Sequence, residues 1–413
     1  MFRPFAVLLT AFAILASTAP GAAAWEPANG AVFNNPYGNY AARWKIVRHV
    51  DEAVRQSPRG SKILISTFLM DSKPSADALV TARNKRDVAV QIVSDADDAD
   101  TGQMRRMARV FNADNVKSRP ELDDAGEPLT DEAWQEMRWG PDRSFVVSCQ
   151  GSCRGPSTHN NHAKFYLFSQ TGTASHVTMV SSSNLNAGGA VRGWNDLYVV
   201  KRNPAVYDDY ATLHAEMAED TAAGDRYREF VRGPFTSRFY PKPSGGDPVL
   251  ADLSKVACKG ANGGAGRNGR TLVNVSMFAW NSSRGMAIAK RLVRLDNLGC
   301  DVSVIYGAPS KTVRNVLRDS ARRGGIKLWD SRIHTDDDGL FDVRTHQKYV
   351  LINGRYGGDR SSWRVHTGSQ NWGRGTLRGG DENTLNIATR AAYRQYIANW
   401  HYVATHGSRR IGR

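Results

Sequence analysis

The chain has 413 residues and a formal net charge of +15, from 55 Lys and Arg against 40 Asp and Glu, with 41% apolar residues. These are the fractions of a globular protein with no low-complexity tail, and the length suits two domains or one large duplicated one. The positive excess favours polyanions such as nucleic acid, anionic lipid head groups or phosphate-rich cell-wall polymer, although it serves solubility equally well.

The first residues, MFRPFAVLLTAFAILASTAPGAAAWEP, carry a positive charge at Arg3, an apolar run too short to anchor in a membrane, and small residues ending Ala22-Ala23-Ala24. That is the layout of a secretory signal peptide with an A-x-A cleavage site. Residues 1–24 are therefore read as signal, the mature chain as starting near Trp25, and the product as secreted. No later segment is long and apolar enough for a transmembrane helix. Four cysteines, Cys149, Cys153, Cys258 and Cys300, read as disulfides in an exported chain, with three connectivities open. Cys149 and Cys153 are near enough to close a local loop, which leaves Cys258 for Cys300. Zinc is the rival reading, disfavoured because Cys149-x-x-x-Cys153 has no second close pair.

Next in the chain comes an internal repeat. Ser61-Lys-Ile-Leu-Ile-Ser-Thr-Phe-Leu-Met-Asp-Ser72 resembles Arg270-Thr-Leu-Val-Asn-Val-Ser-Met-Phe-Ala-Trp-Asn-Ser282, each an apolar run that predicts a strand buried on both faces. Each is followed by a helical pattern, roughly Ser75 to Lys85 and Met286 to Asp296, the second with Ile288, Leu292 and Leu295 on one face. Further strands follow at Asp87–Val93 and Asp301–Tyr306, which makes two βαβ units with parallel strands. In the first half, residues from about Asp98 to Pro156 read as an insertion at the rim of the site. The Pro- and Gly-rich stretch Tyr240-Pro-Lys-Pro-Ser-Gly-Gly-Asp-Pro248 marks the joint between halves 25–240 and 249–413. The acidic run His334-Thr-Asp-Asp-Asp338 lacks the spacing of a calcium loop and reads as a solvated turn.

Each half then carries a His-x-Lys at the front of an apolar strand: Thr158-His-Asn-Asn-His-Ala-Lys-Phe-Tyr-Leu-Phe-Ser169 and Thr345-His-Gln-Lys-Tyr-Val-Leu-Ile-Asn353. Residues i and i+2 of a strand face the same side, so His162 projects with Lys164 and His346 with Lys348. One such pair alone reads more readily as a polar strand entrance than as a site. Here each pair is followed by a strand ending in a Ser-x-Asn cluster, Ser182 with Asn184 and Ser369 with Asn371. If the halves meet about a pseudo-two-fold axis, two histidines, two lysines and two such clusters share a cleft. That constellation suits a phosphodiester: one imidazole attacks phosphorus, the other protonates the leaving alcohol, and lysines and asparagines hold the oxygens.

The sequence resembles the phospholipase D superfamily, whose His-x-Lys-x4-Asp motif is followed by Gly-Ser-x-Asn, usually twice per site. Gly368-Ser-Gln-Asn371 fits that element residue by residue. The resemblance implies two pseudo-symmetric α/β/α-sandwich halves with the active site at their interface, and a phosphohistidine intermediate on His162 with His346 as general acid. It also implies no cofactor or metal, and hydrolysis or transfer to an alcohol. Asp196 and Glu382 stand where family members carry an acidic support for a histidine, and Ser169 and Asn353 replace the motif aspartates. The expected substrate is a phospholipid head group, reached by transient contact with a membrane surface, and the expected form is a monomer active in lipid degradation. A metal-independent nuclease or teichoic-acid phosphodiesterase is the first rival. A catalytically impaired binder of phosphate polymers, suggested by the missing aspartates, is the second.

Overall fold

The computed structural model describes residues 25–113, 121–122, 125–130, 133, 143–222, 226–333 and 343–412. Residues 1–24, read above as a signal, and the acidic run after Ile333 lie outside the described residues. No helix among the described residues is long and apolar enough to cross a membrane.

The first half forms β1 (Gly30–Phe33), β2 (Lys62–Thr67), β3 (Ala89–Asp95), β4 (Phe145–Cys149), β5 (Phe165–Thr171), β6 (Ala174–Ser181), β7 (Gly193–Trp194) and β8 (Asp196–Val200). After them come β9 (Arg228–Arg232), β10 (Phe235–Phe239), β11 (Val256–Ala257), β12 (Leu272–Trp280), β13 (Asp301–Pro309) and β14 (Lys327–Asp330). The last are β15 (Arg344–Thr345), β16 (Lys348–Tyr356), β17 (Asp359–Gly368), β18 (Asn383–Ile387) and β19 (Arg409–Ile411).

One sheet runs β1-β8-β6-β5-β2-β3-β4 and the other β19-β14-β13-β12-β16-β17-β18-β10-β9. Inside both lies one common order. The expected parallel pairs are present, β2 with β3 and β12 with β13, each extended by a further parallel strand, β4 or β14. The strands headed by His-x-Lys, β5 and β16, pair antiparallel with β2 and β12 on the other side, and β6 and β17 follow them.

The crossover helix Lys73–Arg86 starts where the Ser72 hydroxyl accepts from Ser75 N and ends on Asp87 in the left-handed region, φ 54°. Its counterpart Ser282–Asn297 buries Ile288, Leu292 and Leu295, the face read from the sequence. Both helices cover the outer faces of their sheets. Two further helices, Pro204–Ala218 and Arg390–His406, pack between the sheets through Tyr210, Leu213, Tyr396 and Trp400. Alternation in β5 serves both layers: Phe165 and Leu167 join the central core, Tyr166 and Phe168 the outer one. An apolar run with no polar face is what a strand covered on both sides requires.

Two boundaries differ from the sequence reading. Residues 98–156 are not wholly an insertion, because they supply the helix Gly102–Phe111 and β4. These have counterparts in the helix Lys311–Arg322 and β14, and Met104, Met107 and Phe111 bury a helical face against the sheet. The sheets also do not divide at Tyr240–Pro248. β10 pairs with β18, so β9 and β10 belong by hydrogen bonding to the second sheet, and the change of sheet falls after the helix ending at Ala218. The disulfides are Cys149–Cys153 and Cys258–Cys300, with S–S distances of 2.07 and 2.04 Å.

Candidate active site

The two halves meet by exchanging short backbone contacts at the motif histidines. His346 N donates to Trp194 O (2.9 Å), just after β15 pairs in parallel with β7. In the pseudo-equivalent place His162 N donates to Asp381 O (2.9 Å), and Asn161 bridges Asp381 in parallel. Each histidine is thus pinned against the segment that closes the other half. The next residue of that segment meets the imidazole: Glu382 for His162, and Asn195 for His346.

His162 Nδ1 donates to Glu382 Oε1 at 2.9 Å. His346 Nδ1 donates to Asn195 Oδ1 at 2.9 Å, and the Asn195 amide is oriented by its Nδ2 donating to Gly189 O (2.9 Å) and Gly193 O (3.2 Å). Both bonds fix the tautomer in which Nε2, not Nδ1, carries the lone pair. Buried serines set both partners: Ser182 Oγ donates to Asn195 Oδ1 (3.0 Å) and accepts from Asp196 N (3.0 Å), while Ser369 Oγ donates to Glu382 and accepts from Asn383 N (3.0 Å). Phe68 lies 5.4 Å from the His162 ring and Phe278 lies 4.7 Å from His346. Each phenyl ring also receives the lysine of its own half, at 5.4 Å in both cases.

The lysines close the cluster. Lys164 Nζ donates to His162 O (2.7 Å), and Lys348 Nζ lies 3.1 and 3.2 Å from the two ring nitrogens of His346. Burial lowers His162 to about 4 against the upward pull of Glu382, and Lys164 and Lys348 lower it further. Burial also holds His346 well below its ordinary value, with Lys348, Lys164 and His162 acting in the same direction. Lys164 is lowered to about 7 by burial, and Lys348 is lowered by burial and by Lys164. Groups from both halves depress one another because they line one cleft.

Residues 268–403, which span β12 to the last long helix, match the family model described as "Cardiolipin synthase, PLD-like domain". The second half thus carries the match to a phospholipase D-like domain. Its fold is similar to that of phosphatidylserine synthase from Haemophilus influenzae Rd KW20, at 11% identity and a TM-score of 0.57, covering 92% of this chain and 89% of that one. It is also similar to polyphosphate kinase from Porphyromonas gingivalis, at 12% identity and a TM-score of 0.53, covering 92% of this chain and 48% of that one. The chain therefore spans about half the length of that kinase. No curated protein matches it by sequence.

The two positions that depart from the phospholipase D motif, Ser169 and Asn353, lie inside β5 and β16, further along the chain than the lysines. Ser169 Oγ accepts from Lys62 N (2.8 Å) at the start of β2, and Asn353 Oδ1 accepts from Gly266 N (2.8 Å). Neither is bonded to a histidine. Asp196 also does not support His346: its carboxylate accepts from Thr367 Oγ1 and from Tyr396 OH (2.9 Å), and burial raises it. The pseudo-equivalent of Glu382 is Asn195, one residue earlier. Aligning Gly193-Trp-Asn-Asp196 on Gly380-Asp-Glu-Asn383 by their glycines shows this register, whereas a search for a carboxylate lands on Asp196.

Among the expected phosphate-binding residues, Ser182 and Ser369 are fully buried behind the histidine partners. Asn184 lines a cavity of about 220 Å³ together with Asn195 and His346, and Asn371 Oδ1 accepts from Ala279 N (3.3 Å). Trp194, Trp280 and Trp372 are core residues, Trp280 packing edge-on against Trp372 at 4.8 Å. Asp381 was missed by sequence reasoning. Its Oδ2 accepts from Ser152 Oγ (2.8 Å) and Cys153 N (2.6 Å), so it ties the small disulfide loop to the segment that presents Glu382 ahead of β18.

Proposed function

We propose that the protein is a secreted phosphodiesterase in which His162 is the nucleophile and His346 the general acid. The observation that carries this assignment is the difference between the two histidine partners. A phosphorylated imidazole is a cation, and the Glu382 carboxylate beside His162 stabilises it. The neutral Asn195 amide orients His346 without adding charge, which leaves that imidazolium willing to release its proton. Unprotonated His162 presents Nε2 to phosphorus, and the P–O bond to the alcohol breaks as His346 gives its proton to the departing oxygen. Neutral His346 then takes a proton from water, which attacks phosphorus and frees His162. An alcohol in place of water gives transfer. Lys164 and Lys348, with Asn184 and Asn371 in the motif positions, hold the non-bridging oxygens.

The matched family description and the phosphatidylserine synthase name both concern phospholipids, which supports a phospholipid head group as substrate. The two disulfides suit an extracellular protein. Ser169 and Asn353 accept from the backbone amides of Lys62 and Gly266 and touch neither histidine, so they give no motive for an impaired phosphate binder. The test is turnover of bis(p-nitrophenyl) phosphate, phospholipid vesicles and plasmid DNA in EDTA, by the wild type and His162→Asn. Loss of activity in the variant is expected, and full-rate turnover by it overturns the mechanism.

A further inference from the structure

The pseudo-two-fold relation between the halves exposes a difference that the chemistry of the scissile phosphate does not explain. Beside His346 the cavity of about 220 Å³ is lined by Arg192 and Arg344 as well as Asn184, Asn195 and Phe278. The backbone register that pairs Arg344 with Gly193 and Thr345 with Trp194 matches the pairing of Asn161 with Asp381 in the other half. Through that register the counterpart of Arg344 is Asn160, and the counterpart of Arg192 is Gly379. Both positions beside His162 are uncharged. A side chain at Gly379 would collide with His159, whose ring lies 2.5 Å from where its Cβ would be. One flank of the cleft therefore carries two guanidiniums on an open cavity, and the other flank is filled by a histidine against a glycine.

The Arg344 guanidinium lies 5.0 Å from the centre of the Phe278 ring, the same ring that packs on His346, so its place is tied to the general acid. Burial lowers its pKa. Among the described residues neither Arg192 nor Arg344 forms a salt bridge to a carboxylate. The scissile phosphate already has Lys164 and Lys348, so these arginines are surplus to its charge.

In the reaction proposed above, the alcohol leaves on the His346 side. We infer that the two arginines select a leaving alcohol that itself carries a phosphate, of about the size of glycerol phosphate. Two forked guanidiniums are suited to a phosphate and repel a quaternary ammonium, so choline is disfavoured as the leaving group. The inference rests on the assignment of His162 as nucleophile and His346 as acid, and the test separates the two.

Three soluble diesters are compared in EDTA: bis(p-nitrophenyl) phosphate, glycerophosphocholine, and bis(glycerophospho)glycerol, the deacylated form of cardiolipin. The expected result is higher kcat/KM for bis(glycerophospho)glycerol than for glycerophosphocholine. In Arg192→Gln/Arg344→Gln the ratio of kcat/KM for bis(glycerophospho)glycerol to that for bis(p-nitrophenyl) phosphate should fall about tenfold, through KM. Cardiolipin vesicles and soluble poly(glycerol phosphate) then distinguish a lipid from a cell-wall source, and turnover of either supports the chemistry. Equal or faster use of glycerophosphocholine overturns the inference, as does a ratio unchanged in the double variant, while the phosphodiesterase reading survives both. Turnover of none of the diesters overturns both readings.

Discussion

Replacing Glu382 by glutamine removes one charge from the site while keeping the shape and an acceptor for His162 Nδ1. The carboxylate is buried, with Oε1 2.9 Å from the imidazole nitrogen and Oε2 held by the Ser369 hydroxyl. A cationic phosphohistidine would put unit charges about 4 Å apart, worth about 4 kcal/mol at an effective dielectric constant of about 20. At about 1.4 kcal/mol per factor of ten, full loss of that term slows phosphorylation about a thousandfold. A transition state carrying only part of the charge loses less, so kcat/KM for bis(p-nitrophenyl) phosphate should fall between about 10- and about 1000-fold. A stopped-flow burst of p-nitrophenol reads the step directly. Glu382 pulls the His162 pKa upward, so its removal moves the acid limb of the pH profile to lower pH. The loss therefore cannot come from protonating the nucleophile. A Glu382→Gln enzyme that is folded by circular dichroism and retains the wild-type burst rate refutes the role given to the carboxylate.

Three further outcomes follow. The wild-type kcat/KM should be greatest at acidic pH, because His162 stays neutral down to about 4, while His346 is protonated only on the acid side and Lys164 loses its charge above about 7. A profile rising steadily from pH 6 to 9 contradicts this. Asn195→Asp places a carboxylate beside His346, raises its pKa and should shift the alkaline limb upward, and an unmoved limb shows that the residue does not act on the imidazole. For stability, Cys258→Ser/Cys300→Ser opens a loop of sequence separation 42 and should cost about 4 kcal/mol on the loop-entropy model, against about 2 kcal/mol for Cys149→Ser/Cys153→Ser with separation 4. Denaturant titrations under two-state conditions read that order, and a reversed order counts against it.

Much of this architecture is visible in the chain because duplication shows each signal twice. The runs Lys62–Thr67 and Leu272–Trp280 announce buried strands, and His162-Ala-Lys164 and His346-Gln-Lys348 open the strands that pair beside them. The helix Gly102–Phe111 was also legible through Met104, Met107 and Phe111, but the polar stretch that follows draws attention to an insertion instead. What local pattern cannot convey is the exchange between halves. β9 and β10 look like the end of the first unit, yet they add to β18, far along the chain. The partner of His346 was obscured for a chemical reason. A support for a histidine is sought among carboxylates, and Asp196 stands next to the amide, Asn195, that makes the contact. Arg192 and Arg344 have no motif of their own, and their meaning comes from the positions across the pseudo-two-fold axis, Gly379 and Asn160.

The central claim is that phosphorus is transferred to His162. In His346→Ala, bis(p-nitrophenyl) phosphate should still phosphorylate the enzyme, because p-nitrophenol leaves without a proton, while the step that needs His346 to activate water is blocked. Acid-free quenching and peptide mass spectrometry should then find the p-nitrophenyl phosphoryl group on the peptide containing His162. An adduct on another residue, or steady turnover by His162→Asn with no adduct at all, contradicts the account.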